Sequence, residues 1–168
     1  RMAIESACAS TLAALHAGLT SYDIEDTALA LRLKISTDYI LIGLGELTNA
    51  LKQRAREFKN SPQIGRTHLQ HAEPITFGLK ILSWYHSVLL HRRFLMRNRK
   101  MWEVGKISGA VGTHTHLSPE IEEAVGKILQ VEMANVSSQI VSREGLAYLM
   151  AGLSNIASSI EKFAGDIE

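Results

Sequence analysis

Ser36-Thr37-Asp38-Tyr39-Ile40-Leu41-Ile42-Gly43-Leu44-Gly45-Glu46-Leu47-Thr48-Asn49-Ala50-Leu51 is the stretch whose period sets the fold class. Ile40, Leu44, Leu47 and Leu51 recur at spacings of four, three and four, which is one stripe of an α-helix. Leu33 extends the stripe upstream and Ala55 extends it downstream. The run Ile40-Leu41-Ile42 followed by Leu44 is apolar on more than one side, and a helix apolar on several faces is buried on several faces. Asp23 reads as the N-cap and Asp26 as a first-turn acid. The helix therefore spans about 23–58, roughly 54 Å at the α-helical rise and well beyond the globular average.

The same period continues downstream. Phe77, Ile81, Trp84, Tyr85, Val88 and Leu95 point inward from a second long helix over about 76–103. A short helix is expected at 118–129, with Ser118 as N-cap and Pro119 at the first helical position. A last helix begins near Arg143 and carries Leu146, Leu149, Met150, Leu153, Ile156, Ile160, Phe163 and Ile167 at spacings of three and four. The three prolines, Pro62, Pro74 and Pro119, all fall outside the long periodic stretches. Nothing alternates with period two for long enough to make a sheet, so the expected fold is all-α, a bundle of long helices. Between the helices lie 18–22, 60–75, 105–117 and 130–142, connectors at or beyond the usual length and of the kind that carries function.

Composition narrows the class. A chain of 168 residues suits one domain with a real core and is too short for two. Aromatics are only 6% against 46% hydrophobic overall, so aliphatic side chains do most of the packing. A formal net charge of +1 argues against a dedicated nucleic-acid binder. Cys8 is the only cysteine, which excludes an intrachain disulfide and fits a reducing, cytoplasmic compartment. No apolar run reaches membrane-spanning length and no charged-then-apolar leader is visible, so neither a span nor a signal peptide is expected. Arg1 already lies in a helical pattern and Glu168 follows no helix-stop signal, so both ends read as cut.

The connectors hold the chemistry. Gly18-Leu19-Thr20-Ser21-Tyr22-Asp23 places two hydroxyls ahead of a helix N-terminus, which suits either plain capping or a bound carboxylate. Gly65-Arg66-Thr67-His68-Leu69-Gln70-His71-Ala72-Glu73-Pro74-Ile75-Thr76-Phe77-Gly78 crowds two histidines, an arginine, a glutamate and two threonines into one connector. A histidine's ordinary pKa of about 6.5 suits proton transfer near neutrality. A metal site is the rival, but two histidines three apart without cysteine or an HExxH pattern are weak evidence for zinc, and none is assigned. Gly105-Lys106-Ile107-Ser108-Gly109-Ala110-Val111-Gly112-Thr113 lacks the order of a P-loop, and its small residues suit close helix packing equally well. The basic run His91-Arg92-Arg93 with Arg97, Arg99 and Lys100 reads as a solvated helix end that offsets the macrodipole.

Taken together, these connectors resemble the fumarase/aspartase superfamily of lyases, which share a Thr-Ser-x-Asp region, a Gly-Arg-Thr-His region and a later mobile signature loop. Thr20-Ser21-Tyr22-Asp23 resembles the first, and Gly65–Pro74 the second. Lys106–Thr113, Glu73–Lys80 and Ser159-Ile160-Glu161-Lys162-Phe163 are particularly similar to the adenylosuccinate lyase branch. The chain departs from that branch at three places. Tyr22 stands where Ser or Thr is usual, Leu69 where glycine is common, and Arg143-Glu144-Gly145-Leu146 where Arg-Asp-Arg-His is typical, so a second arginine and a histidine are absent. Leu-Gln-His-Ala and His91-Arg92-Arg93 also echo the 3-carboxymuconate cycloisomerases, although those carry tryptophan where His68 stands.

The resemblance implies a homotetramer, cored by long helices from four subunits, with each active site built from three of them. It implies elimination of fumarate from adenylosuccinate and from the succinylated imidazole-carboxamide ribotide of purine biosynthesis, without cofactor or metal. Within it His68 matches the general acid. Thr20, Ser21 and Thr67 match carboxylate-binding positions, Gln139 matches a substrate-binding glutamine, and Lys106 is a further expected substrate contact. The base belongs to the signature loop, which is not among the 168 residues. The chain is therefore expected to be one helical domain, 1–168, of a larger lyase, and inactive by itself. Another lyase or cycloisomerase of the superfamily, argininosuccinate lyase-like for instance, and a non-catalytic helical assembly module are the competing readings.

Overall fold

The computed structural model describes residues 16–167; Cys8 and the helical start expected at Arg1 lie outside them. The chain divides into two compact units, Arg1–Lys34 with Lys100–Glu144 and Ile35–Arg99 with Gly145–Glu168. The long helix α1 runs Ser21–Glu57, 37 residues, or about 55 Å at the α-helical rise. Its expected stripe holds: Leu44 is buried, and Leu33, Ile40, Leu47, Leu51 and Ala55 are half-buried. The second apolar side is not covered by anything among the described residues, with Ile35, Tyr39 and Ile42 exposed at 56%, 71% and 60%.

In the second unit, α2 spans Phe77–Asn98 and α4 spans Glu144–Gly165. Ile81, Trp84, Val88 and Leu95 of α2 are buried, as are Leu149, Ile156 and Phe163 of α4. Phe58, Phe77, Trp84 and Phe163 form a chain of ring contacts at centroid separations of 5.2, 6.4 and 5.4 Å. Thr76 caps α2 by accepting the Leu79 N–H at 3.1 Å. The continuation of α2 to residue 103 does not occur. Asn98 turns its Nδ2 back onto the Phe94 carbonyl at 2.8 Å, and a 3₁₀ turn follows at Arg99–Met101.

The connector 60–75 is not an irregular loop. It is a hairpin of β1, Pro62–Thr67, and β2, Gln70–Thr76, paired antiparallel from Pro62↔Thr76 to Thr67↔Gln70 with an irregularity between Ile64 and Arg66. Most of its residues are exposed on both faces. A ribbon without a buried face needs no apolar alternation, so it leaves no period-two signal.

The first unit holds the start of α1, a two-residue parallel pair of β3, Val104–Gly105, with β4, Glu132–Met133, and helix α3 at Pro119–Leu129. Ser118 occupies the N-cap position of α3 with extended backbone, but its side chain makes no capping bond. No helix among the described residues is long and apolar enough to cross a membrane.

Candidate active site

The start of α1 is organised by a carboxylate inside the helix, not at its cap. The helix begins at Ser21, so Thr20 takes the N-cap position and Asp23 lies three residues in, which corrects the expected cap. Asp23 Oδ2 accepts the Thr20 N–H at 2.8 Å, the carboxylate half of a capping box. Its other oxygen, Oδ1, accepts the N–H groups of Ser108 at 3.2 Å and Gly109 at 3.3 Å and binds the Lys106 ammonium. Both side chains of the Asp23–Lys106 pair are wholly buried. Burial alone would raise the Asp23 carboxyl. The hydrogen bonds from Lys106, Thr20 and Gly109, with the Lys106 charge, outweigh it and hold the group below the usual carboxylate range.

Lys106, expected to contact substrate, is therefore committed elsewhere. Its Nζ also donates to the Gly109 carbonyl at 3.1 Å, and its backbone N–H and C=O are both bonded to Thr27 Oγ1, at 3.1 and 2.9 Å. The ammonium reaches a ligand only by leaving Asp23 as an unpaired buried charge. Its work here is to fasten the glycine-rich segment 105–113 to the first turns of α1. Glu122, buried on α3, fastens the same segment by accepting the Ile107 N–H at 2.6 Å, and His114 Nε2 lies 3.4 Å from its other oxygen.

The segment 137–143 folds onto the same helix start. Ser137 Oγ meets Ser108 Oγ at 2.7 Å, and Gln139 Nε2 reaches Thr20 Oγ1 at 3.5 Å. Val141 donates its N–H to Asp26 Oδ2, and Arg143 Nη1 pairs with Asp26 Oδ1, both at 2.8 Å. The expected residues Thr20 and Gln139 are thus brought together, and Ser21 is exposed beside them as the first residue of α1. The close seating of 137 requires Gly112. With φ at +79°, an added Cβ there would lie 2.1 Å from the Ser137 carbonyl oxygen. Gly112→Ala combines a left-handed backbone, costing about 1–2 kcal/mol, with a backbone clash. A fall in melting temperature of at least about 4 °C is expected by differential scanning calorimetry.

Thr67 and His68 belong to the second unit, at the tip of the β1–β2 hairpin. The two-residue connection His68-Leu69 has φ of +51° and +61°, the left-handed pair of a type I′ turn that normally selects Asn-Gly. A leucine there is strained, which gives a physical reason for glycine at that position in the sequences it resembles. Thr67, His68 and His71 are all exposed, and Leu69 is fully so. Among the described residues no group of three or more His, Cys, Asp or Glu side chains is placed to hold a metal ion. In the same unit His91 Nε2 lies 2.8 Å from Ser159 Oγ, with burial lowering the imidazole pKa, and Arg99 pairs with Asp38 at 2.9 Å. The run expected to be a solvated helix end is therefore partly built into the packing.

The sequence marked Asp23 as an N-cap and Asp26 as a first-turn acid, and placed Arg143 only at a helix start and in the Arg-Asp-Arg-His region, with no contact assigned to it. The available signal was the triad Asp23, Asp26 and Thr27, spaced three and four on one face of a helix and all buried.

Comparison with known proteins follows the same lines. A family model described as lyase matches residues 4–168. An adenylosuccinate lyase of Synechocystis is 42% identical over 153 residues, 91% of this chain and 36% of the relative. One of Aquifex aeolicus is 43% identical over 153 residues, 91% of this chain and 35% of the relative. The crystal structure of the 3-carboxy-cis,cis-muconate lactonizing enzyme of Pseudomonas putida superposes with a TM-score of 0.84 at 32% identity, covering 90% of this chain and 35% of that one. The chain thus spans about a third of the length of the relatives it matches.

Proposed function

This chain belongs to the lyase family of the fumarase/aspartase superfamily, and from that premise we propose that it is the central helical domain of a larger carbon–nitrogen lyase that eliminates fumarate from a succinylated purine nucleotide. The observation that carries this reading is the meeting of Thr20 and Gln139, 119 residues apart in sequence, at the N-terminus of α1. A hydroxyl and an amide at a helix N-terminus bind a carboxylate, and the succinyl group offers two. His68, with Thr67 beside it at the hairpin tip, is the acid that protonates the departing nitrogen. A base removes the proton from the carbon β to that nitrogen, and this reading assigns it to none of the 168 residues. Likeness to adenylosuccinate lyases over nine-tenths of the chain supports the choice of substrate. Likeness to a muconate lactonizing enzyme supports a cycloisomerase as the second reading. The test is a panel of succinyl-amines and 3-carboxymuconate offered to the full-length protein. Fumarate release from adenylosuccinate bears the reading out, and turnover of the muconate alone overturns it.

The partner in this proposal is a second copy of the chain, and a tetramer is the expected state. Two exposed features support self-association: the uncovered face of α1 bearing Ile35, Tyr39 and Ile42, and a hairpin open to solvent on both sides. Isolated two-stranded ribbons are marginal in water, and large exposed apolar patches mark interfaces. Sedimentation at tens of micromolar is expected to show an oligomer, and a folded monomer would refute it.

A further inference from the structure

We propose that Arg143 is a further substrate-binding residue, an arginine fork that takes an anionic oxygen group of the substrate beside Thr20 and Gln139. The proposal rests on the lyase reading above. Arg143 is held in advance by a carboxylate that is itself almost wholly buried: Asp26 is 4% exposed, and its two oxygens are taken by the Val141 N–H and by Arg143 Nη1, both at 2.8 Å. One residue thus fixes both the guanidinium and the backbone two positions before it. The Tyr22 ring lies beneath, 5.7 Å from the guanidinium carbon. Asp26 takes a single terminal nitrogen, while the Arg143 side chain stays 40% exposed. The fork therefore keeps donors for a second, planar oxyanion partner.

The position of Arg143 adds to this. Tyr22 and Asp26 lie two and six residues beyond Thr20 on the first turns of α1, and Gln139 is four residues before Arg143 on the segment folded over them. Thr20 and Gln139 are neutral, so they orient an anion without compensating its charge. A guanidinium supplies that charge, and charge-assisted hydrogen bonds are about twice as strong as neutral ones. Tyr22, which departs from the small hydroxyl usual at its position, acquires a role as the surface on which the arginine lies.

The test compares Arg143→Gln and Arg143→Lys with wild type in the full-length protein, measuring fumarate release from adenylosuccinate and inhibition by fumarate and by adenosine monophosphate. Arg143→Gln is expected to raise KM about tenfold or more with kcat within about threefold, and Arg143→Lys, which keeps the charge and the bond to Asp26 but not the fork, to lie between. Weakened inhibition by fumarate assigns Arg143 to a carboxylate; weakened inhibition by the nucleotide assigns it to the phosphate. Unchanged KM in both variants overturns the proposal, and where the glutamine variant does not fold, the lysine variant alone decides. A wild type inert toward succinyl-amines overturns the lyase reading instead. Calorimetric succinate binding then tests Arg143 separately: weaker binding by the variants upholds it, and equal binding refutes it.

Discussion

With His68 replaced by glutamine, kcat of the full-length protein falls by about 10²–10⁴-fold while KM changes little. An acid acts mainly as the carbon–nitrogen bond breaks, so its loss is felt in the transition state far more than in substrate binding. The position suits the task. His68 is exposed at a hairpin tip, with φ of +51° next to the pairing of Thr67 with Gln70. Glutamine retains a hydrogen-bonding side chain of similar reach but cannot deliver a proton near neutrality, which isolates the acid function from simple contact. His71, on β2 opposite Arg66, is exposed too, yet lies outside the turn. His71→Gln is expected to be milder and to affect KM as well as kcat. Steady-state kinetics of the two variants side by side decide the matter: equal losses in kcat would remove His68 as the sole acid.

Legibility followed burial. The stripe from Leu33 to Ala55 and the positions Ile81, Trp84, Val88 and Leu95 were readable because a helix with a covered face must repeat its apolar residues near 3.6. The hairpin at Pro62–Thr76 was not, because most of it is exposed and none of it is fully buried, so it imposes no apolar alternation. The end of α2 was set by one amide, Asn98, bonding back to Phe94, where apolar periodicity had carried the helix on to 103. At the candidate site Thr20 and Gln139 were named from motifs, and their meeting is a fact of the fold. Lys106 shows the limit most clearly. A lysine in a glycine-rich segment resembles a ligand contact, and nothing local reveals that its counter-charge is 83 residues upstream.

That buried pair yields the largest expected effect on stability. Lys106→Met leaves Asp23 without its only cationic partner among the described residues, in a place where neither side chain reaches solvent. Breaking a buried pair from one side costs about 3–5 kcal/mol, because the remaining charge loses its compensation without regaining water. Removing both charges as Asp23→Leu/Lys106→Met is not expected to restore stability. Asp23 also accepts the N–H groups of Thr20, Ser108 and Gly109, and leucine leaves all three unanswered. Acidification separates this mechanism from a loss of packing. In wild type the Asp23 carboxyl titrates below its unfolded value, so the folded state binds fewer protons, and stability is lost as pH falls below about 4. In Lys106→Met the hydrogen bond and the charge of the lysine are gone, so the Asp23 carboxyl titrates higher than in wild type, although the Thr20 and Gly109 N–H groups still oppose burial. The folded variant thus takes up protons more readily than folded wild type and loses less stability as pH falls through that range. The gap between the two proteins in equilibrium unfolding is therefore widest near neutrality and narrows as pH falls through about 4. A gap that does not move with pH, or one under about 1 kcal/mol at pH 7, would mean that Lys106 contributes its methylenes and not its charge.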